Sequence, residues 1–261
     1  MTGSQDGTRL ARVMGKGWLT PVLAVLTVGS LAILAVLGLW VAPPDALQGD
    51  AQRLMYVHVP VVMVAYLAFG VTTLASVLYL WKRTRHPQWD RLAAASAEIG
   101  VLTTALTLAL GSLWGRPVWG VWWTWDARLV TTAVLLFLYL GYLALRRTIS
   151  DPDVRARRSA FAALIAFVDV PIVHYSVEWW RSLHQESTLL PDGRLDPQIE
   201  GDMLIALLWG IGALLITYAY LLVQRYRLAA LEEGFEGRAL EAAIAERRAE
   251  ADPEPATVGA S

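Results

Sequence analysis

The sequence predicts an all-α integral membrane protein with six transmembrane helices, both termini cytoplasmic and a tryptophan-rich outer loop. Three observations predict it. Of 261 residues, 56% are apolar and only 17% are charged, below the roughly 25% usual in soluble domains. The mean hydropathy is +0.44, and the apolar residues fall into long runs instead of alternating with polar ones. Basic residues segregate strongly between alternate connections. The absence of cysteine excludes a disulfide scaffold, a thiolate metal site and covalent haem attachment of the CxxCH kind. A net charge of −1 gives no case for nucleic acid.

A membrane-spanning helix needs roughly 20 apolar residues to cross a hydrocarbon layer about 30 Å thick. Six segments qualify: 19–41, 60–81, 92–113, 129–145, 159–180 and 203–223. Arg9, Arg12 and Lys16 precede the first, but its apolar run is too long for a signal peptide and no small-residue cleavage site follows, so it reads as a retained span. Fourteen basic residues lie at the amino terminus, in the second and fourth connections and at the start of the tail. Five lie on the opposite side: Arg53, Arg116, Arg128, Arg181 and Arg194. The positive-inside rule then places both termini in the cytoplasm. Three outer loops follow, at 42–59, 114–128 and 181–202. Residues 1–226 form the membrane domain and 227–261 a charged, partly disordered cytoplasmic tail. The Ala-, Glu- and Arg-rich part of that tail has the composition of an amphipathic helix fraying at Asp252–Pro253, although a solvated tail without a specific role is the simpler reading.

Five of the twelve tryptophans fall within the stretch WGRPVWGVWWTWDARLV at 114–130: Trp114, Trp119, Trp122, Trp123 and Trp125. An interfacial aromatic belt accounts for one or two indoles per helix end, such as Trp18, Trp40 and Trp209. Five in one short loop, shaped by Gly115, Pro117 and Gly120, exceed that. They suggest a flat π-rich shelf for a large planar ligand, or for an acyl or peptide partner.

Of the four histidines, His86 reads as a solvated residue of a cytoplasmic loop. His58 stands just before Pro60 in MYVHVP, His174 near the outer end of span five, and His184 in the loop beyond it. Two imidazoles on the side of the tryptophan shelf match the two axial positions of a haem iron. Arg53, Arg116, Arg128 and Arg181 offer partners for carboxylates at the ring edge. His174 competes with His184 for the second axial position. It shares a helical face with Glu178 and Arg181, which suits a structural pair with Glu178, whereas His184 lies beyond the Trp179–Trp180 anchor in the loop proper. Two acids lie inside spans. Asp169, two residues before Pro171, is expensive there unless it is protonated or satisfies backbone groups freed by the proline. Glu98 sits close enough to the cytoplasmic end to snorkel. No phosphate-binding GxxxxGK[ST] motif is present.

The stretch WGRPVWGVWWTWDARL, with YVHVP before it and PIVHYSVEWWRSLHQ after it, resembles the CcmC, or haem exporter protein C, family of cytochrome c biogenesis. The motifs span about 53–187 and the six-span layout extends the likeness to nearly the whole chain. The resemblance implies haem b (iron protoporphyrin IX) held between His58 and His184 as axial ligands. It also implies that the tryptophan segment, with Asp126 and Arg128, holds haem for transfer to CcmE, a membrane-tethered chaperone. Partners implied in the same way are the small membrane protein CcmD and the ABC-type subunits CcmA and CcmB, which supply a separate ATPase. The related CcmF and CcsA-type families share the tryptophan loop but are larger or carry further haem-binding histidines within their spans. The function expected is haem delivery at the outer face of the bacterial inner membrane, without catalysis. Two rivals stand beside it: a b-type cytochrome that transfers electrons, and an iron-free module whose aromatic loop grips a lipid-linked or peptide partner.

Overall fold

A computed structural model describes residues 14–184 and 199–251. Arg9, Arg12, Arg194 and the expected fraying at Asp252–Pro253 lie outside them. The described residues are helical with no β-sheet, and six helices are long and apolar enough to cross a membrane. The elements are α1 (Leu19–Val36), extended by a π-helical turn (Leu37–Val41), and a 3₁₀ turn (Asp50–Leu54) that leads into α2 (Met55–Leu80). Then come α3 (Pro87–Trp119), α4 (Ala127–Thr148), α5 (Pro152–Phe167), α6 (Asp169–Trp179) and α7 (Gly201–Ala251). Helices α5 and α6 together make the fifth span.

Several helix boundaries depart from the hydropathy windows, most of them for a local reason. Helix α2 starts five residues before Pro60, because the 3₁₀ turn already carries the backbone in helical geometry. His58 is therefore helical, not part of an outer loop. Helix α3 runs to Trp119, past the expected end at 113. Its start is set by Pro87 at the first position and by the His86 ring, whose Nδ1 accepts from Gln88 N–H at 3.2 Å. His86 is thus a helix cap, not a free surface residue. Gly120 ends the helix at φ +80°, donating its N–H to the Arg116 carbonyl. Asp151 caps α5 by accepting from Val154 N–H at 2.8 Å. Span five breaks at Val168, where Pro171 withholds the N–H that the Phe167 carbonyl would accept. Asp169 is buried there, yet it makes no hydrogen bond among the described residues and its Oδ2 has no partner. It does not satisfy the freed backbone. Helix α7 continues without a break through 226/227 to Ala251, and its far half is exposed.

Helices α2 and α3 pack through small residues, as lipid-embedded helices must when no hydrophobic force separates them from the solvent. At Gly100 a Cβ would stand 2.4 Å from the Phe69 ring, and Phe69 in turn stacks on Tyr139 of α4 at 3.7 Å. Pro60 cannot bond the Tyr56 carbonyl, and α7 closes on that carbonyl with Gly210, where a Cβ would lie 2.4 Å from the oxygen. The head of α2 is thereby keyed against α7.

At the end where α2 finishes and α3 begins, hereafter the arginine end, charges are paired. Arg146 grips Asp90 with two bonds of 2.6 and 2.8 Å. Arg225 pairs with Glu98 and Glu232, and Arg91 with Glu233. Glu98 is therefore the partner of a cation on α7 and does not simply snorkel. Arg227 donates to the Met14 carbonyl at 2.6 Å and to Thr20.

Candidate functional site

At the opposite end, the head of α2 and the last turns of α3 line a cavity of about 120 Å³. Its walls come from His58, Gly111, Trp114, Gly115 and Trp119, and Gln48 and His184 close it from the connections. His58 reaches this space because α3 is bare opposite it: a Cβ on Gly111 would lie 3.2 Å from His58 Cε1. One turn on, Gly115 makes the same room for the Trp119 ring, which a Cβ would meet at 2.9 Å. Glycine at 111 and 115 thus carves the cleft. His58 Nδ1 is buried without a partner among the described residues, and Trp114 stands edge-on to its ring at 5.7 Å.

His184 is held more tightly. Asp126 caps α4, accepting from Arg128 N–H at 2.9 Å, and its other oxygen accepts from Leu183 N–H at 2.8 Å. Asp126 Oδ1 lies 3.2 Å from His184 Nδ1. Holding Nδ1 against a carboxylate leaves Nε2 as the free nitrogen and fixes the ring plane, the arrangement usual behind metal-bound histidines. Trp119 meets the same ring edge-on at 4.8 Å. Burial, assisted by Arg128 and opposed by Asp126, keeps the imidazole below its ordinary pKa and so neutral. Burial pushes Asp126 up, but the Leu183 N–H, Ser182, His184 and the Arg128 N–H outweigh it, and the carboxyl lies below its usual range.

Of the residues singled out in the sequence, His58, His184, Trp114 and Trp119 line one cavity. Trp114 and Trp119 do so from helix α3, not from a loop. Trp122 and Trp123 line a shallow cleft beside it with Trp119. Trp122 is 58% and Trp125 86% exposed, and Trp125 stands nearly perpendicular to Trp123, at 88°. The indoles therefore form a faceted rim, not one flat shelf. Arg128 turns away from the cavity: its guanidinium donates to the His174 carbonyl at 3.0 Å, leaving Nε buried without a partner. Its side chain does not pair with Asp126. Arg53 caps the end of α1, donating to the Gly38 and Ala42 carbonyls at 2.6 and 2.9 Å, and Arg116 folds back onto the Gly120 carbonyl at 2.5 Å. His174 is exposed, edge-on to Tyr66 and Tyr175, with no ion pair to Glu178 among the described residues. Sequence reasoning missed Gln48, which accepts from Trp114 Nε1–H at 2.8 Å, and Gly111, while Gly115 was singled out there as shaping the tryptophan segment. The spacing of Gly111 four residues before Gly115 was the readable signal.

No cluster of three or more His, Cys, Asp or Glu side chains able to hold a bare ion occurs among the described residues. Two imidazoles on one aromatic cavity suit a metal that brings its own equatorial donors.

The profile of the family described as CcmC, Heme exporter protein C, matches residues 6–240. The Heme exporter protein C of Haemophilus influenzae is 39% identical over 222 residues, 85% of this chain and 88% of that protein. Its namesake in Escherichia coli K12 is 38% identical over 214 residues, covering 81% and 83%. A putative cytochrome c biosynthesis ccmC-like mitochondrial protein of Marchantia polymorpha is 40% identical over 158 residues, covering 60% and 66%. With six spanning helices and bacterial relatives along most of its length, the chain is a multi-pass inner-membrane protein. By the extent of these matches, it belongs to the haem exporter protein C (CcmC) family.

Proposed function

We propose that this chain binds haem b at its tryptophan end, with His58 and His184 as axial ligands, and presents it to the membrane-tethered chaperone CcmE for c-type cytochrome biogenesis. One observation carries the reading. Two histidines from separate elements open on a single aromatic cavity, and one of them is backed by a carboxylate that leaves Nε2 free. Two nitrogens on the iron leave no position open for oxygen chemistry, which favours carriage over catalysis. The enclosed volume of about 120 Å³ is below the 300–1,000 Å³ typical of pockets that enclose a ligand. The rest of a macrocycle then falls to the exposed indoles of Trp122, Trp123 and Trp125, where a partner reaches its edge. CcmD and the CcmA–CcmB transporter complete the proposed assembly, the ATPase residing in CcmA–CcmB.

The decisive measurement is haem content and the Soret band of the purified full chain beside His58→Ala and His184→Ala. Each variant is expected to lose the six-coordinate spectrum. Unchanged spectra in both would sink the axial assignment. The tryptophan end is further proposed to face outside, from the distribution of basic residues. Because the natural chain has no cysteine, single replacements at the exposed Leu47 and Arg83 give an unambiguous check. An impermeant thiol reagent added to intact spheroplasts should label Leu47→Cys and spare Arg83→Cys.

A further inference from the structure

The indole of Trp114 can only donate, so the Gln48 amide that receives it must turn its oxygen toward Trp114. Its nitrogen is thereby turned away, and it makes no hydrogen bond among the described residues, although Gln48 lines the cavity. The residue is presented rigidly. Asp45 Oδ1 accepts from the N–H groups of Leu47 and Gln48 at 2.8 and 2.7 Å. Asp45 and Gly49 also exchange backbone bonds of 3.2 and 3.0 Å, with Gly49 at φ +55°. The turn is built, and Gln48 stands at its inner corner.

The other polar groups on the cavity wall are partly committed, with the Trp119 indole N–H and His58 Nδ1 making no hydrogen bond among the described residues. Trp114 N–H is spent on Gln48, His184 Nδ1 on Asp126, and the remaining imidazole nitrogen of His184, with His58, is assigned to iron. The Gln48 amide N–H₂ is an uncommitted donor too, and unlike the other two it is carried on a connection outside the tryptophan helix and the histidine ligands. From this geometry we infer that Gln48 is a specificity-determining residue, whose amide N–H₂ pairs with a carboxylate at the edge of the porphyrin and favours dicarboxylate porphyrins over their esters. The inference rests on the haem reading above and adds to it which chemical edge of the ligand turns toward the 42–49 connection. Hydrogen bonds to ionised acceptors are roughly twice as strong as neutral ones, which is what makes such a donor selective.

The test uses the substitution Gln48→Glu, because a carboxylate still accepts from Trp114 N–H but has nothing to donate. The full chain in detergent is titrated with iron protoporphyrin IX and with its dimethyl ester, following the Soret band. Partition of the two porphyrins into micelles cancels when each variant's acid-to-ester affinity ratio is divided by that of the natural chain. Gln48→Leu, which removes donor and acceptor alike, is expected to lower the ratio on the order of tenfold. Gln48→Glu should lower it further, by setting like charges together, while its affinity for the ester stays near that of the natural chain. An unchanged ratio in both variants overturns the inference and leaves the haem reading standing. So does equal loss of both porphyrins in both variants, the mark of a residue that only supports Trp114. Failure of the natural chain to bind either porphyrin overturns the haem reading itself, and the inference with it.

Discussion

The two ends of the bundle put their polar groups to different uses. At the arginine end, charges are spent on one another: Asp90 on Arg146, Glu98 and Glu232 on Arg225, Glu233 on Arg91. Gln88 Oε1, Arg155 Nε and Tyr226 Oη are the exceptions, buried without a partner. At the tryptophan end, His58 Nδ1, Arg128 Nε and Thr124 Oγ1 are buried and unpartnered, the largest side chains face outward, and a glycine pair holds a cleft open. Buried polar atoms normally find partners, and a protein departs from that rule where function asks for it. One end ties its helices together with ion pairs between them; the other leaves an imidazole nitrogen unpartnered on an open cleft.

That contrast breaks most readily at Asp90. Arg146 and Asp90 are 14% and 15% exposed along their side chains, so Asp90→Ala strands a buried guanidinium and should cost about 3–5 kcal/mol, read as a large fall in the melting temperature of the detergent-solubilised chain. Replacing both partners by apolar residues of similar volume should recover most of that loss. His184→Ala, by contrast, should shift stability by less than about 1 kcal/mol while removing haem binding. If the two substitutions exchanged effects, the division of labour between the ends would be wrong.

A second, smaller effect is expected at Asp126. Asp126→Asn keeps the helix cap but loses the anion behind His184, and supporting groups of this kind are worth roughly 10–100-fold in metal affinity. The pH dependence gives the sign. Burial and Arg128 lower the His184 pKa and Asp126 raises it, with His58 the other titratable group on the cavity wall. Protons therefore compete with iron only below the ordinary imidazole value of about 6.5. In Asp126→Asn the upward pull is gone, so the acid limb of the binding curve should move to lower pH even as affinity near pH 7.5 falls. A limb that stays where it is would show that Asp126 does not act on this imidazole.

The smallest effect belongs to Gly111→Ala. The new Cβ presses on His58 Cε1 at 3.2 Å, a contact the ring relieves by turning. A few-fold loss of haem affinity is expected, with the melting temperature unmoved. A loss of stability instead would mean that the cleft is packing interior and not a prepared opening.

How much of this was legible in the sequence follows from what each feature depends on. The six spans were readable because lipid imposes a length and a composition on every crossing segment. Their ends were not, because a helix continues past the apolar window whenever its backbone bonds continue, as at Met55 and Trp119. The signals that mark the true ends of α3, Pro87 after a capping residue and Gly120 after the last turn, were present but subordinate to hydropathy. His58 stood out as a polar residue at a span end and His184 as one in the loop beyond span five. The Asp126 carboxylate behind His184 did not, since 58 residues separate the two and only the packing of α4 against the chain beyond α6 brings them together. Glu98 advertised a need for a partner without naming Arg225, a choice made by the crossing of α3 and α7.

The uninterrupted course of α7 has a geometric consequence. Its 51 residues extend roughly 75 Å at 1.5 Å per residue, whereas the hydrocarbon layer is about 30 Å thick. Much of the rod therefore stands clear of the lipid, and Arg225 pins it to Glu98 of α3. Its opposite limb carries Gly210 against the Tyr56 carbonyl, two residues from His58. One unbroken helix therefore runs from the exposed tip to the residue packed beside the turn that carries that imidazole.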